Sequence, residues 1–192
     1  MELNKLSRIL LLGANIWYFG EGMLGPLLAI FTEKVGGDIL DITWAWAVFL
    51  IVTGVCYILT GRYINNKPYK AQVMVLGYAL NAIFTFCYLG VTNPFQLFLV
   101  QAGLGVAEAI STPTWDTLFA KTLDEKNNGY AWGLAGGQSQ IVTGLAVLIG
   151  GTLVYYLSFH TLFITMGIFQ VIATLVQSRI LFAEKKLAIS VE

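Results

Sequence analysis

Glu21 and Glu108 are the residues in this sequence best suited to chemistry. Each falls near the middle of a long apolar run, the first at about 9–31 and the second at about 95–119. An ionisable group at such depth is costly to hold and by default marks function. No Lys, Arg or His lies at matching depth to neutralise either one. A carboxyl group without a counter-charge in a dry site takes up a proton, because desolvation disfavours the charged form. It can also pair with a cationic solute. Either capacity suits the coupling of a moving charge to the passage of a solute. The plainer alternative is that both groups merely bond neighbouring helices and hold a bundle together.

Other polar residues recur at helical spacing around the two carboxyls. Gln101, Gly105, Glu108, Thr112 and Trp115 follow one stripe of a helix. Asn15, Tyr18, Gly22 and Gly25 share one side of the first run, with Glu21 at its edge. Trp46, Thr53 and Tyr57 share a face of another run. Gln138 and Gln140 point about 200° apart, so only one of them can face a shared interior. For a single Thr, Gln or Asn, an interhelical hydrogen bond of about 0.6 kcal/mol explains the residue without any solute. Convergence of four runs on one interior says more than any member does. Asp116 lies about 12 Å along the helix from Glu108, near the run's end and within reach of Arg62. An ion pair or gate element is expected there.

Several chemistries find no support. Cys56 and Cys87 sit in apolar runs without CxxC or Cys/His spacing, which leaves neither a metal site nor a disulfide to expect. No Ser/His pair or metal-ligand cluster shares one depth, so no enzyme and no cofactor are expected. His160 reads as a surface residue, and "TNP" at 92–94 is not the NPA of a water channel. Formal charge is zero, so nothing points to nucleic acid.

The elements that must position these groups follow from composition. With 57% hydrophobic and only 11% charged residues, and a mean hydropathy of +0.72, the chain is an all-α integral membrane protein. Runs of roughly 20 apolar residues, the length of a helical span, fall at about 9–31, 42–64, 71–90, 95–119, 130–157 and 161–181. Six transmembrane helices joined by short loops make 1–192 a single domain. The N-terminal "MELNKLSRILLLGANIWYFG" has the opening of a signal peptide, but its apolar run continues to Phe31. It is expected to stay as the first span. Lys5, Arg8, Arg62, Lys67, Lys70, Lys121, Lys126, Arg179, Lys185 and Lys186 all fall on one side of such a bundle, leaving Lys34 on the other. The positive-inside rule then makes both termini cytoplasmic, in what we expect to be a prokaryotic plasma membrane.

The loop "GRYINNKPYK" at 61–70 needs more than anchoring to explain its Gly and Pro. It resembles the loop signature G-x-x-x-D-[RK]-x-G-[RK]-[RK] of the major facilitator superfamily of secondary transporters. Gly61 takes the first position, Asn65 that of the Asp, Pro68 that of the second Gly, and Lys70 the last cation, with Arg62 beside them. The stretches at 98–134 and at 21–37, "EGMLGPLLAIFTEKVGG", are similar to further parts of that family in the same order. Two of its signatures are missing. Ala146-Val147 replaces an antiporter Gly-Pro step, and Gln101 stands where drug antiporters often carry Arg, which argues against a multidrug antiporter of the usual kind.

Family members are usually two parallel six-helix halves, so the resemblance implies that this chain corresponds to one half, of the N-terminal type. A two-fold homodimer would rebuild the whole without inverting a helix. Gly133, Gly137, Gly144, Gly150 and Gly151 would suit its seam, as well as they would suit packing within one bundle. The function expected is a half-size transporter, possibly proton-coupled, that moves a small neutral or cationic solute by alternating access. The alternative is a non-transporting membrane subunit that needs a different partner chain.

Overall fold

The computed structural model describes residues 4–64, 67–123 and 128–189, and the regular elements among them are all helices joined by short turns. The elements run α1 (Lys5–Gly22), α2 (Leu27–Lys34), α3 (Ile39–Ile64), α4 (Lys70–Cys87), a short 3-10 turn, α5 (Pro94–Ala120), α6 (Asn128–Tyr156) and α7 (Phe159–Ile189). Among the described residues, five stretches are long and apolar enough to cross a membrane: α3, α4 with its 3-10 turn, α5, α6, and Phe159–Phe182 of α7.

The first expected span, 9–31, is not one helix. It divides into α1 and α2 between Met23 and Pro26, and the cause is local. Pro26 has no N–H to give the carbonyl of Gly22, so the helical ladder cannot continue through it. Gly25 takes a positive φ of 21°, which its missing Cβ makes tolerable. The other boundaries follow ordinary capping chemistry. The Asn4 side chain accepts from the Ser7 N–H at 2.7 Å, and that of Asn93 from the Gln96 N–H at 3.0 Å. Asp38 and Asp41 cap the start of α3 reciprocally, each carboxylate accepting from the other's backbone N–H at 3.0 Å. Gly36, at φ 85°, closes α2.

The helices pack in a row: α3 on α5, α5 on α4, α4 on α7, α7 on α1, and α1 on α6. α3 and α6 therefore stand at the two ends. Only 17% of the apolar window of either is buried, against 39% in α4 and α7 and 44% in α5. Large apolar side chains such as Leu50, Ile58, Leu145 and Leu148 remain exposed on these end helices.

Two apolar clusters fill the bundle at different levels. One joins Met23, Phe31, Tyr88, Phe159 and Phe163, and the other Leu10, Trp17, Met74, Trp115 and Phe119. Close backbone approach holds the row together. A Cβ on Gly77 of α4 would lie 2.8 Å from both the carbonyl oxygen of Ala107 and the amide nitrogen of Ser111 on α5. Those are backbone atoms and cannot step aside. Gly77→Val should therefore push α4 from α5 and cost about 1–3 kcal/mol. Thermal unfolding in detergent would read this, with Gly54→Ala, a mid-helix site with nothing within 4 Å, as a control that should not destabilise.

Candidate functional site

Two cavities lie in the bundle. The larger, about 680 Å³, draws its wall from all seven helices. The smaller, about 180 Å³, lies among α1, α4, α5 and α6, and Tyr18 and Ser139 border both. Glu21 lines the larger cavity at the broken end of α1, where its carboxylate accepts from the Trp17 indole N–H one turn earlier at 2.7 Å. Tyr18, Trp46, Gln101 and Gln140 line the same space. Gln101 is buried and accepts from the Tyr88 hydroxyl at 3.2 Å.

The smaller cavity gathers Asn15, Thr112, Trp115 and Asp116. The Trp115 indole N–H is engaged by the Leu10 carbonyl at 3.1 Å, so this residue's polar atom packs α5 on α1 rather than facing a solute. Gln138 and Gln140 meet different surroundings. Gln140 borders the larger cavity, and Gln138 accepts from the Asn15 side chain at 3.0 Å.

Other expected positions fall outside both walls. Glu108 on α5 and Tyr57 on α3 are half-buried, and neither borders either cavity. Thr53 is half-buried on α3, its hydroxyl oxygen enclosed without a hydrogen-bond partner and close to Gly105. Arg62 is exposed at the end of α3 with Gly61, and among the described residues no ion pair joins it to Asp116. Pro68 is exposed and Lys70 is buried at the start of α4, while Asn65 lies outside the described residues. Gly133, Gly137, Gly144 and Gly151 have nothing within 4 Å of a built Cβ. Gly150 is different, because the Met23 carbonyl occupies its Cβ position. That glycine packs α6 onto the helix break inside the chain and does not belong to an open seam.

The sequence pattern missed the contributions of α4 and α7. Asn81, Thr85 and Tyr88 reach the larger cavity from α4 and its 3-10 turn, and Gln170 reaches it from α7. Gln170 donates to the Trp17 carbonyl and Gln177 to the Leu10 carbonyl, each at 3.1 Å. The two glutamines are one heptad apart, and so are their acceptors. That spacing on an otherwise apolar helix was the available signal.

A family description, Major Facilitator Superfamily, matches residues 10–189. The chain belongs to the major facilitator superfamily. The resemblance drawn from its loop and glycine patterns thus holds over most of the sequence, and the superfamily is one of membrane transporters, not enzymes. The chain is also 26% identical over 170 residues to the proton-coupled antiporter flippase LtaA of Staphylococcus haemolyticus (strain JCSC1435), an alignment covering 86% of this chain and 42% of that protein. It therefore spans less than half the length of this relative.

For a superfamily protein with this bundle, water should reach Ser139 and should not reach the clusters. In a background lacking Cys56 and Cys87, Ser139→Cys should react with a small aqueous thiol reagent. Ala173→Cys, at a position fully buried between helices, should stay unmodified under the same treatment.

Proposed function

We propose that this chain forms one six-helix half of a secondary transporter that moves a small neutral or cationic solute by alternating access. Glu21 is the group through which solute and coupling cation communicate. The observation that carries this reading is the position of Glu21. It stands at a broken helix end, on the wall of the larger cavity, in a chain of this superfamily. The LtaA relative, described as a proton-coupled antiporter, supports coupling to a cation. It also narrows what the missing Gly-Pro step and Gln101 argue against, since antiport itself is compatible with such distant kinship. Among the described residues no Lys, Arg or His borders the larger cavity, and one carboxylate there would repel an anionic solute.

In this reading α1 and α2 together make the first of six crossings. The cation distribution puts both termini and the 61–70 loop, with Arg62, Pro68 and Lys70, on the cytoplasmic side. A second six-helix half completes the cavity, and a parallel copy of this chain is the partner we propose. The exposed apolar flanks of α3 and α6 support that choice, as do the open positions around Gly133, Gly137, Gly144 and Gly151.

Reconstituted vesicles test the first part. Screened for counterflow with labelled sugars and amines, the protein should show ion-driven uptake that falls by about tenfold or more in Glu21→Gln, the loss of one charged partner. Uptake in Glu21→Gln equal to that of the unaltered protein would remove Glu21 from the mechanism. Native mass spectrometry from mild detergent tests the second part: a dominant dimer is expected, and a monomer persisting in several detergents and lipids would sink the homodimer.

A further inference from the structure

Three residues that border the larger cavity carry oxygen acceptors not fully matched by donors among the described residues. Glu21 uses one carboxylate oxygen for the Trp17 indole N–H, and among the described residues no second side-chain donor reaches the group. The Gly22 carbonyl lost its helical donor to Pro26, and no turn or cap N–H replaces it among the described residues. Gln170 is 1% exposed, and its amide N–H is spent on the Trp17 carbonyl. Its own side-chain oxygen, Oε1, is buried without a partner. All three residues border the same cavity. Trp17 keeps two of them together, its carbonyl holding Gln170 and its indole holding Glu21.

We propose that the Glu21 carboxylate, the Gly22 carbonyl and Gln170 Oε1 form a binding site for one monovalent metal cation of sodium's size. Hard oxygen ligands suit such an ion. A broken helix supplies free backbone carbonyls where a continuous helix has none, the device by which discontinuous membrane helices hold coupling ions. Charge sets the valence. One ionised carboxylate among neutral oxygens balances one positive charge, and a divalent ion would leave an uncompensated charge in a dry site. Nearby Tyr18, Ser139 and Thr143 hydroxyls on the same wall can complete the coordination. Sodium and a proton would then compete for Glu21.

The same helix contains an internal comparison. Gln177 lies against Gly13 as Gln170 lies against Gly20, and its Oε1 is likewise buried and unpartnered. Yet Gln177 borders neither cavity. Their packing differs as well, because the Gln177 amide also donates to the Tyr78 hydroxyl at 3.1 Å, and only at Gln170 would an ion be added.

This inference deepens the transport reading by naming its coupling ion, but the binding test needs no transport. The purified full-length chain, at mildly alkaline pH, is titrated with sodium chloride at constant ionic strength against choline chloride, with potassium as the size control. Thermal unfolding and tryptophan emission are read together, because the Trp17 indole shares Glu21 with the ion. The expected result is a saturable, sodium-selective rise in unfolding temperature with a matching emission change. Gln170→Met should shift the sodium midpoint about tenfold or more, as loss of a ligand-shell partner does. Glu21→Gln should abolish the response, whereas Gln177→Met should lower stability and leave the midpoint in place. Equal effects of sodium, potassium and choline would overturn the site, as would a sodium response surviving in Glu21→Gln or equal midpoint shifts in the two Gln→Met variants. If Gln170→Met does not fold, Glu21→Gln decides. Sodium-selective binding without solute uptake in vesicles would support the site and count against the transport reading. Proton-driven uptake without sodium-selective binding would do the reverse.

Discussion

The contact between α1 and α7 is the constraint on which the rest of this bundle depends. Gln170 and Gln177 each press an amide into the place where Gly20 and Gly13 lack a side chain. From there each donates to a carbonyl of α1, at Trp17 and Leu10. Glycine makes the approach possible and the amide makes it directional. A pair of Leu residues at the same positions would pack but would choose no register. Here the matching heptads on two antiparallel helices set the height of α1, and with it the height at which its ladder breaks. Glu21 faces the cavity because that register leaves it there.

Between the two apolar clusters lies a layer that is neither core nor surface. Asn81, Thr85, Gln101 and Gln170 are all nearly inaccessible, and each borders the larger cavity. Buried polar groups of this kind are high-stakes, since an unsatisfied one is penalised in a low-dielectric setting. Gln170 is one that is only partly satisfied. Such a layer favours a bundle that tolerates exchange of partners, as the proposed alternating access would demand, whereas the aromatic cluster of Phe31, Tyr88, Phe159 and Phe163 is closely stacked.

Much of this was legible in the sequence, for reasons that also explain the remainder. Five long helices follow directly from hydropathy, and the family kinship followed from glycines and cations at fixed offsets. The break in the first span did not follow, although "EGMLGP" contains both its Gly residues and its Pro. Hydropathy is summed over a window, and Met23 and Leu24 keep the sum high through a backbone that cannot be helical. On the helices scanned for polar stripes, Tyr18, Glu21, Gln101 and Gln140 border the larger cavity, whereas Glu108, Thr53 and Tyr57 border neither. Asn81 and Gln170 were missed because a lone amide in an apolar helix looks the same whether it faces lipid, a neighbour or a cavity. Gly150 and Gly151 cannot be told apart by adjacency. One meets a carbonyl and the other meets nothing, a difference of about 100° around α6.

The open flank between α3 and α6 bears on stoichiometry. If a second copy closes it around a two-fold axis, every group on the cavity wall acquires an image. One chamber then holds two Glu21 side chains and two broken helix ends. An asymmetric cargo on that axis would have two poses of equal energy, so its binding could not distinguish its own front from its back. A cycle in such a protein would carry up to two coupling charges per cargo. A transporter whose halves have diverged in sequence is free of that arithmetic.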